Sequence, residues 1–197
     1  MATLNQQFLE LCKNFKGKEL EKVIERILES DLYITSEFLS CPNIEALKAG
    51  NKYYDTLNLF STLTYSDYKK SPAKYLSLNN KLLNKLKCVS ILEIAKEKKF
   101  LEYSYLKNAL DIKDNFELEE LLFTLISRDL ITGKINSMEE NVMILTVKPR
   151  CNLTDIKKAE NLIDRIIGNL NNASQFLANE EKKIKETNKE LNTILTI

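Results

Sequence analysis

Along the N-terminal part of the chain, apolar residues recur at helical spacing in short stripes. Phe8, Leu11, Cys12 and Phe15 share one face that Gly17 closes, and Leu20, Val23, Ile24, Ile27 and Leu28 form a second, fuller stripe. Asp31–Leu39 and Asn43–Lys48 predict two shorter turns around Pro42. Tyr53, Leu57, Leu59 and Phe60 open a further helix, and Thr64–Ala73, with Pro72, reads as looser chain. Short helices joined by short links predict antiparallel pairs in series, a small helical-repeat part over residues 1–85.

The pattern changes near Leu86. Val89, Ile91, Leu92 and Ala95 carry a helix ending in the basic run Lys96–Lys99, and the apolar link Phe100–Glu102 leads into a brief helix with Tyr103, Leu106 and Leu110. Asp114 or Asn115 then caps a longer helix bearing Phe116, Leu118, Leu121, Leu122, Leu125 and Ile126. Ile131–Ile135 and Val142–Val147 are rich in β-branched residues and flank the polar turn Asn136–Asn141, which predicts a β-hairpin. Three helices followed by a hairpin describe a winged helix over residues 86–149, closed by Pro149. The expected fold is therefore mainly α, with one small sheet.

Residues 150–197 carry a different signal. Ile156, Ile163, Leu170, Leu177, Ile184 and Leu191 recur every seventh position, and Ala159, Ile166, Ala173, Glu180, Thr187 and Ile194 make up the second row of the heptad. Such a seam predicts a long helix, roughly 60 Å at 1.5 Å per residue, lying against a partner helix. A parallel homodimer would set Glu180 against Glu180 and Thr187 against Thr187, so a heterotypic partner fits better. A helix broken near Gly168 and folded onto its own domain is the alternative. Ile156, Ile163, Ile166, Leu170, Leu177, Ile184, Leu191 and Ile194 are the expected partner-facing side chains, although periodicity does not separate interface from intramolecular core.

Composition narrows the chemistry. Among 197 residues, 29 Lys and Arg balance 28 Asp and Glu, which gives no electrostatic case for nucleic acid or an anionic membrane as the main partner. The N-terminal residues lack the pattern of a signal peptide and no apolar run reaches membrane-spanning length, so a soluble intracellular protein is expected. Cys12, Cys41, Cys88 and Cys151 lie far apart and read as reduced, buried hydrophobes. With no histidine, the chain lacks Ser-His and Cys-His pairs and the commonest ligand of catalytic zinc. The glycines Gly17, Gly50, Gly133 and Gly168 are isolated, so no phosphate-cradling loop can be written. A non-enzyme with no cofactor or metal is the expectation.

A winged helix also invites a comparison with DNA-binding folds. Its third helix, however, sets Asp114, Glu117, Glu119, Glu120 and Asp129 against Arg128 alone, and in the hairpin Lys134 and Lys148 are offset by Glu139 and Glu140. The domain reads instead as a protein-interaction module whose exposed hairpin strand could extend a neighbour's sheet.

Helical repeats feeding a non-basic winged helix resemble the PCI-domain family, whose members build the proteasome lid, the COP9 signalosome and initiation factor 3. Leu57-Asn-Leu-Phe60 with Thr64-Tyr-Ser-Asp-Tyr68, Lys85–Ala95, Glu102-Tyr-Ser-Tyr-Leu106, Leu118–Leu122 and Ile131–Ile135 are similar to segments of the subunit-7 branch of that family. The likeness covers about residues 32–148. Leu63 stands where the branch often has glycine, and Asn136 and Ser137 stand where it usually has Asp and Gln. Initiation factor 3 subunit M and the proteasome lid share the layout and remain alternatives.

The resemblance implies a scaffold subunit of the complex that removes the ubiquitin-like modifier NEDD8 from cullins, with catalysis carried by another subunit. It implies other PCI-domain and MPN-domain subunits as partners, cullin-RING ligases indirectly, and residence in cytoplasm and nucleus. The C-terminal helix would enter a bundle of subunit helices, and Ile135, Val142, Ile144 and Thr146 would lie near the contact by which winged helices join into an arc.

Overall fold

The computed structural model describes residues 3–47 and 50–150. The expected partner-facing residues Ile156, Ile163, Ile166, Leu170, Leu177, Ile184, Leu191 and Ile194 lie outside the described residues.

The first helix, α1 (Leu4–Asn14), is opened by a capping box. Thr3 Oγ1 accepts from the Gln6 amide at 3.4 Å, and Gln6 Oε1 accepts from the Thr3 amide at 3.0 Å. The second, α2 (Gly17–Glu29), buries the whole stripe Leu20, Val23, Ile24, Ile27 and Leu28. A 3-10 turn at Ser36–Ser40 and a single turn of helix, α3 (Pro42–Glu45), follow around Pro42. The next helix, α4 (Lys52–Thr62), starts where Asn51 Oδ1 accepts from the Tyr53 amide at 2.8 Å. The stretch expected to be loose holds a two-turn helix, α5 (Tyr65–Lys70), capped by Thr64 and Asp67.

The central element is α6 (Asn80–Glu97). Its residues are buried without interruption from Lys85 to Leu92, the mark of a helix enclosed on all sides. Leu82 and Leu86 belong to a core shared with α1, α2 and α4, whereas Cys88, Ile91, Leu92 and Ala95 belong to a second core beneath the winged helix. The expected boundary at residues 85 and 86 thus falls inside one continuous helix, and residues 1–152 form one compact unit.

Two buried basic side chains lock that unit together. Lys85 Nζ donates to the carbonyls of Leu28 at 2.6 Å, Ser30 at 2.8 Å and Ile27 at 3.4 Å, which caps the C-terminal end of α2. Arg150, the last described residue and also buried, donates to the carbonyls of Phe60 at 2.9 Å, Leu63 at 3.3 Å and Val89 at 3.4 Å, and pairs with Glu93 at 3.5 Å. It joins the end of the winged helix to the C-terminal end of α4 and to α6.

The winged helix continues with β1 (Phe100–Glu102), α7 (Tyr103–Leu110), α8 (Asn115–Ser127), β2 (Ile131–Asn136) and β3 (Asn141–Val147). Asp111 closes α7 in the left-handed region at φ 58°, and Asp114 Oδ1 caps α8 by accepting from the Phe116 amide at 3.2 Å. The predicted hairpin is present. It carries a third strand that hydrophobic periodicity does not announce, because β1 pairs antiparallel with β3 and the sheet order is β1-β3-β2.

Candidate interaction surface

Pleating sorts the apolar stretch Val142–Leu145 onto two faces. Val142 and Ile144 turn inward and are buried in the core against α6 and α8, while Met143 and Leu145 turn outward and are exposed. Of the other residues expected near an inter-subunit contact, Ile135 is half-buried against the same core. Thr146 is exposed, its Oγ1 2.7 Å from Thr132 Oγ1 on the neighbouring strand. Val142 and Ile144 therefore anchor the sheet, and their strand presents Met143 and Leu145 on its exposed face.

That outer face was not singled out by sequence reasoning. Phe100 on β1 lies in register with Met143 on β3, which also faces Lys134 on β2, and Leu145 extends the row. Phe100, Met143 and Leu145 are all exposed, so the outer face of the sheet is apolar on two of its three strands. One signal for it was available: Val-Met-Ile-Leu has no polar residue at alternate positions, so half of it must face outward.

Among the described residues β2 has no partner strand on its other side. Its pairing with β3 is irregular between Thr132 and Gly133, which face Thr146 and Ile144 so that Leu145 of β3 is passed over. Gly133 is required there, because a Cβ would collide with the backbone carbonyl of Met143. A Gly133→Ala variant is expected to lose about 1–2 kcal/mol in urea unfolding, since backbone meets backbone and neither can yield cheaply. An unchanged midpoint would show that the hairpin absorbs the methyl.

The electrostatics of the winged helix disfavour nucleic acid. Arg128 is engaged by Asp31 at 3.1 Å and stacks over Tyr33 at 5.1 Å, while Lys148 lies 3.5 Å from Asp129. Lys87 pairs with Glu117 at 2.7 Å, and Glu119 accepts from the Tyr103 hydroxyl at 2.8 Å. In the basic run, Lys96 pairs with Glu93 at 3.0 Å and Lys98 lies 4.3 Å from the centre of the Tyr105 ring. Exposed α8 thus keeps Asp114 and Glu120 where a DNA-reading helix would carry cations.

Cys12, Cys41 and Cys88 are buried free thiols, and desolvation pushes Cys12 and Cys88 up to about 12, so both stay protonated at neutral pH. Among the described residues no group of His, Cys, Asp or Glu could hold a metal ion, and no helix is long and apolar enough to cross a membrane.

Comparison with known proteins agrees with this architecture. Residues 54–145, from α4 to β3, match the PCI domain family. COP9 signalosome complex subunit 7 of Drosophila melanogaster is 32% identical over 148 residues, 74% of this chain and 52% of the fly protein. The subunit 7 of Dictyostelium discoideum is 29% identical over 142 residues, 71% of this chain and 55% of its own length. Subunit 7a of Mus musculus is 28% identical over 142 residues, 71% of this chain and 52% of the mouse protein. The chain spans about half the length of these curated relatives.

Proposed function

We propose that this chain belongs to the PCI-domain family and is a non-catalytic scaffold subunit of a COP9 signalosome, the role its subunit-7 relatives suggest. The structural observation that supports this reading is the open sheet of the winged helix. The edge of β2 is free among the described residues, and an apolar outer face of Phe100, Met143 and Leu145 stands beside it. Such a sheet offers main-chain hydrogen bonds for affinity and outward side chains for specificity to a neighbouring sheet. On this reading the partners are other PCI-domain and MPN-domain subunits, cullin-RING ligases are met only through the assembly, and deneddylation is performed by another subunit in cytoplasm and nucleus. The heptad residues from Ile156 to Ile194 supply a second attachment, by packing into a bundle of subunit helices.

The test compares tagged full-length chain with residues 1–152 in cells of the source organism, with bound proteins identified by mass spectrometry. The truncation ends at Asn152 so that Arg150 and the compact unit are kept. Full-length chain is expected to recover signalosome subunits and cullins, and the truncated chain, still folded by circular dichroism, to recover at least about tenfold less. Recovery of translation initiation factors or proteasome lid subunits in place of signalosome subunits would overturn the assignment. Recovery of none of them would overturn the scaffold reading altogether.

A further inference from the structure

The outward face of α8 carries a feature that the sheet edge does not use. Phe116 and Phe123 stand seven residues apart, hence on one side of the helix, and they are 72% and 57% exposed. Glu119 and Glu120 lie between them in sequence, each three or four residues from both rings. Two phenylalanines left in water on one helix face are costly for an isolated domain and mark a contact surface.

The charge around the rings selects the occupant. Asp114, at the N-terminal cap of α8, and exposed Glu120 give the stripe a negative border. Glu119, held toward Tyr103, adds to the negative field. An anionic membrane or a nucleic-acid backbone would be repelled. The surface fits a helix with an apolar face to cover both rings and lysine or arginine beside it to meet the carboxylates.

We infer that the exposed face of α8 is a docking site for a basic amphipathic helix of a partner protein, seated on Phe116 and Phe123 and oriented by Glu120. Glu120 is the specificity element and the two rings supply the affinity, because rim charges steer and select whereas buried aromatics carry most of the binding energy. The site lies on α8, a different element from the β2 edge.

The test uses the full chain, isotopically labelled, titrated with a synthetic amphipathic helix of about 15 residues built from leucine and lysine, and with its glutamate counterpart. The lysine peptide is expected to bind with micromolar affinity and to shift the amide signals of α8. The double variant Phe116→Ser/Phe123→Ser is expected to weaken binding about tenfold or more, and Glu120→Lys to weaken the lysine peptide while admitting the glutamate one. Both changes are at exposed positions and leave the fold intact, which the spectrum itself reports. Equal binding of the two peptides, or shifts centred elsewhere, would overturn the inference. So would a double variant that alters the amide signals of residues 153–197 in the free chain, because the occupant would then be the chain's own C-terminal segment. The assay needs no assembly partner, so its failure is distinguishable from failure of the scaffold reading.

Discussion

Replacing Arg150 with Met should destabilise the compact unit by about 3–5 kcal/mol, the cost of removing one member of a buried, hydrogen-bonded charge cluster. The guanidinium reaches three carbonyls that belong to two helices. Those of Phe60 and Leu63 lie at the C-terminal end of α4, where the helix presents unpaired acceptors and the negative end of its dipole, and that of Val89 lies within α6. Met replaces the aliphatic stem of Arg but ends short of the guanidinium and donates nothing, so these acceptors lose their partner in a place that water does not reach. Glu93 keeps Lys96 at 3.0 Å and is the least affected. Arg150→Lys should recover only part of the loss, since a single ammonium cannot span the same acceptors as a planar fork. Urea unfolding of the full chain measures both, and a Met variant within about 1 kcal/mol of the wild type would show that Arg150 is carried passively.

The residues that sequence reading found and those it missed divide by physical cause. The stripe of α2 was legible because it is amphipathic at a single period, and the hairpin because two runs rich in β-branched residues flank a polar turn. Strand β1 was read as a link, because three residues with one inward side chain, Leu101, show no period, and only pairing with β3 makes them a strand. The same holds for α6, which is buried continuously through Lys85 and Lys87 and so hides the division between helical part and winged helix that a change of pattern had suggested. Lys85 and Arg150 were invisible for a further reason. A cation at helical spacing ordinarily marks a solvated face, and nothing local announces that the carbonyls it serves lie more than fifty residues away in sequence. At the sheet, the resemblance sets Val142 and Ile144 near a contact, and strand alternation fixes two faces without saying which is inward. The placement of α6 and α8 decided it.

Lys85→Met should cost about 2–3 kcal/mol at neutral pH, and the gap should widen as the solution is made alkaline. The loss has the same origin as at Arg150: the carbonyls of Ile27, Leu28 and Ser30, at the end of α2, are left without their donor. The pH dependence is specific to Lys85. Burial pushes its ammonium pKa from 10.5 down to about 7, opposed by the nearby Asp31 carboxylate, so between those values the unfolded chain binds a proton that the folded chain has released. Stability from this group is therefore lost as pH falls through about 7 and gained as pH rises toward 10.5, and only the wild type has that gain. From about pH 9 an opposite slope sets in for both proteins, because Cys12, Cys88 and Tyr103 are held up to about 12 by burial and resist the ionisation open to them in the unfolded chain. Wild-type stability should consequently rise from pH 7, peak near pH 9 and fall beyond, while the variant stays flat before the same fall. Urea midpoints taken across that range decide the matter, and parallel curves for the two proteins would mean that Lys85 remains charged in the fold and acts as a fixed cap on α2.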